Sequence, residues 1–129
     1  MCLAAVVVLQ LAIALPLIAV PARRTVGVPR AIDLFFASHA PWSLWLLAFV
    51  AWAPLPGVRG LTPILLAALV PIALTPRMLA AFFREVLKLD PRVALVRTMT
   101  HQAITWTVLV ALFGAAVALT PRALAWIGR

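Results

Sequence analysis

Between Arg97 and Arg122 lie 24 consecutive residues without Lys, Arg, Asp or Glu. At about 1.5 Å per residue, a helix of that length crosses the roughly 30 Å hydrocarbon core of a bilayer. Just upstream, Asp90-Pro91 pairs an N-cap residue with proline at the first helical position, so the pattern predicts a helix from Asp90 to Thr120. On it Thr98, His101, Gln102 and Thr105 fall at i, i+3, i+4 and i+7, one face near the entry end. Hydrocarbon cannot satisfy those groups. The face is therefore expected to turn toward other helices or a cavity, with any chemistry on that side.

The rest of the chain sets the same class. Of 129 residues 66% are hydrophobic, the mean hydropathy is +1.15, and only 14 side chains are acidic or basic. A water-soluble core is excluded, and the expected fold is all-α and membrane-embedded, one domain over residues 1–129. The net charge of +8 does not point to nucleic acid. Its 11 Lys and Arg are spread among connections between apolar runs, the pattern that orients membrane proteins. The single cysteine, Cys2, excludes an intrachain disulfide and a cysteine metal cluster; it reads as a small apolar residue at a helix end.

In chain order, Met1 to Ala22 carries no charge and has the length of a span. A cleaved signal peptide competes, with Val20-Pro21-Ala22 at the cut, but its basic leading region is missing. Residues 21–30, PARRTVGVPR, read as a surface loop broken by Pro21, Gly27 and Pro29. Helical pattern resumes near Ala31, and Leu34 to Val58 is free of Lys, Arg, Asp and Glu until Pro54, Pro56 and Gly57 end it. Trp42, Trp45 and Trp52 within it read as interfacial anchors and packing residues. Thr62-Pro63 opens a third span to about Thr75, with a kink expected at Pro71. It reaches full length only by continuing through Met78, Leu79, Phe82 and Phe83. In that case 78/82/86 and 79/83/87 form the apolar face, while Arg77, Arg84, Glu85 and Lys88 form the other. The alternative is an amphipathic helix lying along the headgroups.

About four transmembrane helices follow, with a basic amphipathic linker before the last. Arg23, Arg24, Arg30, Arg77, Arg84, Lys88, Arg92 and Arg97 then share one side, and Arg59, Arg122 and Arg129 the other. That bias places loops 21–33 and 77–97 in the cytoplasm of a bacterial inner membrane and both termini outside. An external amino terminus without a leader suits the later part of a longer bundle. Glu85 reads as a partner for Lys88 and Asp90 as a cap, so no paired carboxylates remain for acid–base work or magnesium. His39 and His101 both fall at cytoplasmic ends of spans. A bis-histidine haem is conceivable there, although a polar interfacial role is simpler.

The run from Arg23 to Phe49, and that from Pro54 to Leu119, resembles the C-terminal part of UbiA-type membrane prenyltransferases, especially the dihydroxynaphthoate branch of menaquinone biosynthesis. The likeness lies in Arg24-Thr25, Gly27 as a helix start, Pro71 in a Leu-rich span, Arg77, Arg84, and Arg97-Thr98 with Gln102 opening the last helix. It implies transfer of an isoprenoid chain to an aromatic quinone precursor, an isoprenyl diphosphate as ligand, and magnesium in intact relatives. It also implies substrate-binding roles for Arg23, Arg24, Arg30, His101 and Gln102. The two Asp-rich motifs of that family are not in this sequence. Where the second belongs the chain reads LIAVPARRT, so no catalytic residue, metal ligand or cofactor is assigned, and the chain alone is expected to be inactive. The alternative is a small non-catalytic subunit packing into a larger membrane complex through other transmembrane helices. Ala111, Gly114, Ala115 and Ala118 supply small-residue spacing for that role.

Overall fold

A computed structural model describes residues 2–52 and 61–127. Five α-helices follow in order: α1 (Cys2–Arg23), α2 (Val28–Ala37), α3 (Ala40–Trp52), α4 (Leu61–Ala81) and α5 (Pro91–Ile127). A π-helical turn, Phe82–Val86, extends α4. No strand occurs among the described residues. Pro54, Pro56, Gly57, Arg59 and Arg129 lie outside them.

Thr62–Val86 and Pro91–Leu119 are each long and apolar enough to cross a membrane, and α2 with α3 makes a third such unit if the bent pair counts as one. The described apolar stretch of α1, Val7–Arg23, is shorter than a span. Outward-facing side chains are largely aliphatic: Val8, Leu44, Leu47, Val50, Leu65, Leu66, Val96 and Val110 are all more than half exposed. This surface is compatible with lipid and costly in water.

The expected third span is continuous, because α4 passes through Pro71 and Pro76 and runs into the π turn. Leu79, Phe82, Phe83 and Leu87 are buried, whereas Arg77, Arg84, Glu85 and Lys88 are exposed. The two faces thus divide as the apolar spacing requires, except that Met78 is 39% exposed. Glu85 does not pair with Lys88. Its Oε1 accepts from Arg84 Nε at 2.7 Å, both side chains exposed. The π turn explains the change: Leu87 N–H bonds the Phe82 carbonyl five residues back, so i and i+3 no longer stack as on an α-helix. Lys88 then takes φ 54°, and Leu89 N–H reaches the Phe83 carbonyl, closing the element in the manner of a glycine C-cap.

The surface loop expected over residues 21–30 is mostly helix. Pro21 lies inside α1, and its missing N–H leaves the Leu17 carbonyl without a helical donor. The Arg97 guanidinium donates to that carbonyl, joining α1 to α5. Pro29 opens α2 instead of breaking it, because a first-turn N–H has no intrahelical partner to lose. Gly27, at φ 82° and ψ 150°, caps α2 in a conformation that favours glycine. Asp90 caps α5 as expected, its Oδ1 accepting from Arg92 N–H at 2.8 Å.

The stretch expected as one helix from Leu34 is broken at Ser38-His39, with 45° between α2 and α3. Pro41 supplies the cause, since it cannot donate to the Ala37 carbonyl and its ring crowds that group. Side chains repair the break: the Phe35 carbonyl accepts from Ser38 Oγ at 2.6 Å and pairs with His39 Nδ1 at 3.0 Å. Phe35, fully buried, is the hub of the core. Its ring meets Phe36, His39, Phe82 and His101 at centroid distances of 5.5, 4.6, 6.2 and 5.2 Å.

Candidate functional site

α1 and α5 run antiparallel, since Arg97 meets Leu17 while Gln10 lies at the level of His101. This arrangement, with the bend at His39, surrounds a cavity of about 430 Å³. α1 contributes Val7 and Gln10; α2 and α3 contribute Phe36, His39, Trp42, Ser43, Trp45 and Leu46; α4 contributes Thr75; α5 contributes His101, Gln102, Thr105, Trp106 and Leu109. Among the described residues no charged side chain lines it.

The polar stripe predicted on α5 faces the bundle. Thr98 and His101 are fully buried, Thr105 is nearly so, and Gln102 is half-buried. Thr98 Oγ1 turns back to the Ala94 carbonyl at 2.9 Å, which removes it from the cavity's chemistry. The others differ. Thr75 Oγ1, Thr105 Oγ1 and both ring nitrogens of His101 are buried with no hydrogen-bond partner among the described residues. The Gln10 backbone comes close to the His101 ring without reaching hydrogen-bond geometry. Each such group costs about 1–3 kcal/mol when left unpaired, and more in hydrocarbon than in water.

His39 and His101 are both buried inside the bundle. They are 6% and 0% exposed, and their rings meet edge-on, centroids 5.6 Å apart at 67°. A haem held between them would need its macrocycle in that gap, and edge contact of the two rings leaves no slot for it. The Phe35 carbonyl can only accept, so His39 Nδ1 carries a hydrogen and donates it there. Ser38 Oγ, 3.3 Å from Nδ1, braces the same edge.

Of the tryptophans expected as interfacial anchors and packing residues, Trp42 and Trp45 line the cavity and Trp52 does not. Trp42 packs edge-on against Trp45 and Trp106 at 5.8 and 5.9 Å, and Trp45 stacks on Phe49 at 5.6 Å and 8°. Trp106 was not singled out in the sequence. It lies at i+4 from Gln102 and i+5 from His101, which is the signal that would have found it.

Of the five residues expected to bind substrate, His101 and Gln102 line the cavity. Arg23, Arg24 and Arg30 are exposed and do not. Arg23 lies 13 residues along α1 from Gln10, about 20 Å of helix. The carboxylates are also dispersed: Asp33 is exposed on α2, Glu85 holds Arg84, and Asp90 caps α5. Among the described residues no three His, Cys, Asp or Glu side chains gather. The described residues therefore do not fit magnesium. No protein-family model matches the chain, and no match to it was found among curated proteins or solved structures.

Proposed function

We propose that this chain is a helical domain of a membrane that binds a lipid-soluble ligand in the cavity between α1, α3, α4 and α5. One observation carries the reading: His101, Thr75 and Thr105 line an apolar cavity with buried polar atoms that have no partner. A bundle that only had to pack would gain by making those positions aliphatic. A ligand that supplies the missing hydrogen bonds accounts for them. The domain crosses the membrane four times in this proposal: α1, the bent pair α2–α3, α4 with its π turn, and α5. Its basic ends, 21–33 and 77–97, face the cytoplasm.

Prenyl transfer, implied by the resemblance, is the narrower proposal. In it the cavity takes the aromatic acceptor, and Arg23, Arg24 and Arg30 meet an isoprenyl diphosphate. The roughly 20 Å of helix between those arginines and the level of His101 favours binding over transfer. A purely structural subunit is supported by a different observation: Ala111, Gly114, Ala115 and Ala118 are all exposed, and nothing lies within 4 Å of a side-chain carbon placed on Gly114. That face is open to another helix.

The test is to purify the protein in nanodiscs and identify small molecules retained with it by mass spectrometry. A variant with the cavity filled, Leu109→Trp, serves as the comparison. A lipid-soluble compound held by the wild type and lost from the variant is expected. Identical small-molecule content in both would overturn the reading.

A further inference from the structure

At the basic end of the bundle, two outer helix faces carry a cation standing over an apolar stripe. We infer that a phospholipid with an anionic headgroup binds there, its phosphate among Arg77, Lys88 and Arg92 and its acyl chains along the outer faces of α4 and α5. This surface lies outside the bundle and is independent of whatever fills the cavity.

The charges are uncommitted. Arg84 is held by Glu85, and Arg97 by the Leu17 carbonyl. Arg77, Lys88 and Arg92 are exposed, and among the described residues their side chains form no ion pair. Asp90, between the last two, turns its Oδ1 to the Arg92 backbone N–H. The three lie on α4, just after the π turn and in the first turn of α5, elements that pack on one another. Depth adds to this. Arg77 is 16 residues along α4 from Leu61, about 24 Å of helix and less than the roughly 30 Å of hydrocarbon. Its stem therefore lies against apolar chains while its guanidinium extends to headgroup level, where a lipid phosphate is the anion that completes it.

The stripes identify the partner as a lipid. Leu95, Val96 and Met99 follow Arg92 at i+3, i+4 and i+7, so they share its face, and all three are exposed. On α4 the order reverses with the chain direction: Val70, Ala73 and Leu74 precede Arg77 by seven, four and three residues, and all are exposed. Acyl chains under a bound phosphate gain dispersion contacts along both stripes. An acidic protein segment would use the cations and leave the stripes bare. On α2 the pattern fails, because Asp33 stands at i+3 from Arg30 and is exposed, where its carboxylate repels a phosphate.

Native mass spectrometry of the delipidated protein in detergent, titrated with phosphatidylglycerol or phosphatidylcholine of the same chains, measures the first bound lipid. Phosphatidylglycerol is expected to bind at least about fivefold tighter, the effect of one cation near an anionic headgroup, and excess glycerol phosphate is expected not to displace it. The triple variant Arg77→Gln, Lys88→Gln and Arg92→Gln is expected to lose the preference, whereas Arg77→Lys with Arg92→Lys keeps it. In the wild type, a phosphatidylglycerol carrying a photoreactive group on one acyl chain is expected to label residues 70–78 and 92–99. Equal binding of the two lipids, or binding of neither, would overturn the inference and leave the cations to an acidic protein segment. Displacement by glycerol phosphate would show that the chains contribute nothing, which overturns the lipid assignment. A preference that survives the triple variant, or labels spread evenly over all apolar faces, would overturn the placement on α4 and α5.

Discussion

At the scale of single residues, two glycines ask for opposite things. Gly27 sits at φ 82°, and a side-chain carbon built there meets nothing within 4 Å. Any penalty of substitution is therefore conformational, not steric contact with neighbours. Placing a non-glycine residue in that region costs about 1–3 kcal/mol, so Gly27→Ala is expected to destabilise the α1–α2 corner by that amount. Gly114 lies inside α5 with equally open space. There alanine gains about 1 kcal/mol of helix propensity, so Gly114→Ala is expected to be neutral or stabilising. Thermal unfolding of the two variants in the same detergent checks the pair. Similar shifts for both would show that the φ at Gly27 is not what the fold requires. A third residue repeats the theme: Lys88 occupies φ 54° at a position where glycine is usual, and Lys88→Gly is expected to stabilise the end of the π turn by about 1 kcal/mol.

At the scale of elements, the bend between α2 and α3 is the feature on which the cavity depends, because it turns His39 toward His101 and brings Trp42 to Trp106. Pro41→Ala restores an N–H for the Ala37 carbonyl and lets the two helices merge. Spin labels at the exposed positions Asp33 and Leu47 are then expected to move apart, as measured by pulsed electron resonance. An unchanged separation would assign the bend to Ser38 and His39, which already hold the Phe35 carbonyl. This element also marks where sequence reading stops. The cap at Asp90, the buried stripe on α5 and the two faces of residues 78–88 were legible, since each is local periodicity or capping within one helix. The histidine pair and the indole wall were not, because they join residues 62 and 64 positions apart through a bend that composition does not encode. Pro21 and Pro29 misled for a related reason: proline breaks a helix only where a lost hydrogen bond has no substitute. Here Arg97 supplies one to Leu17, and the first turn of α2 needs none.

At the scale of the whole molecule, charge and apolar surface divide along one axis. The basic residues Arg23, Arg24, Arg30, Arg77, Arg84, Lys88 and Arg92 are all exposed, and they lie where α1 and α4 end and where α2 and α5 begin. Keeping that end in the cytoplasm avoids translocating it. Cysteine placed at Arg24 or Lys88 in a Cys2→Ser background is therefore expected to stay unlabelled by an impermeant maleimide until cells are permeabilised. Labelling of intact cells would reverse the orientation.

The same scale decides the activity expected of the chain by itself, which is that it transfers no prenyl group. Departure of a diphosphate places negative charge on its leaving oxygens. A divalent ion that neutralises this charge needs several oxygen ligands at one place. The sequence holds three acids, and the fold keeps them apart in separate roles: Asp33 exposed on α2, Glu85 paired with Arg84 in the π turn, and Asp90 capping α5. The exposed arginines at the basic end are able to hold a diphosphate through charge-assisted hydrogen bonds. Exposed and without a divalent ion beside them, they add little to the stabilisation of the charge that develops on departure. Distance adds to this, since Arg23 lies about 20 Å along α1 from the level of the cavity, beyond the near-contact that a transfer step requires. Purified chain in nanodiscs, given magnesium, a polyprenyl diphosphate and dihydroxynaphthoate, is expected to retain diphosphate weakly and in a salt-sensitive manner, with no prenylated product. Magnesium-dependent product above an empty-nanodisc control would overturn this account. Asp33→Asn would then be the first substitution to make, because Asp33 is the acid whose structural role is least committed.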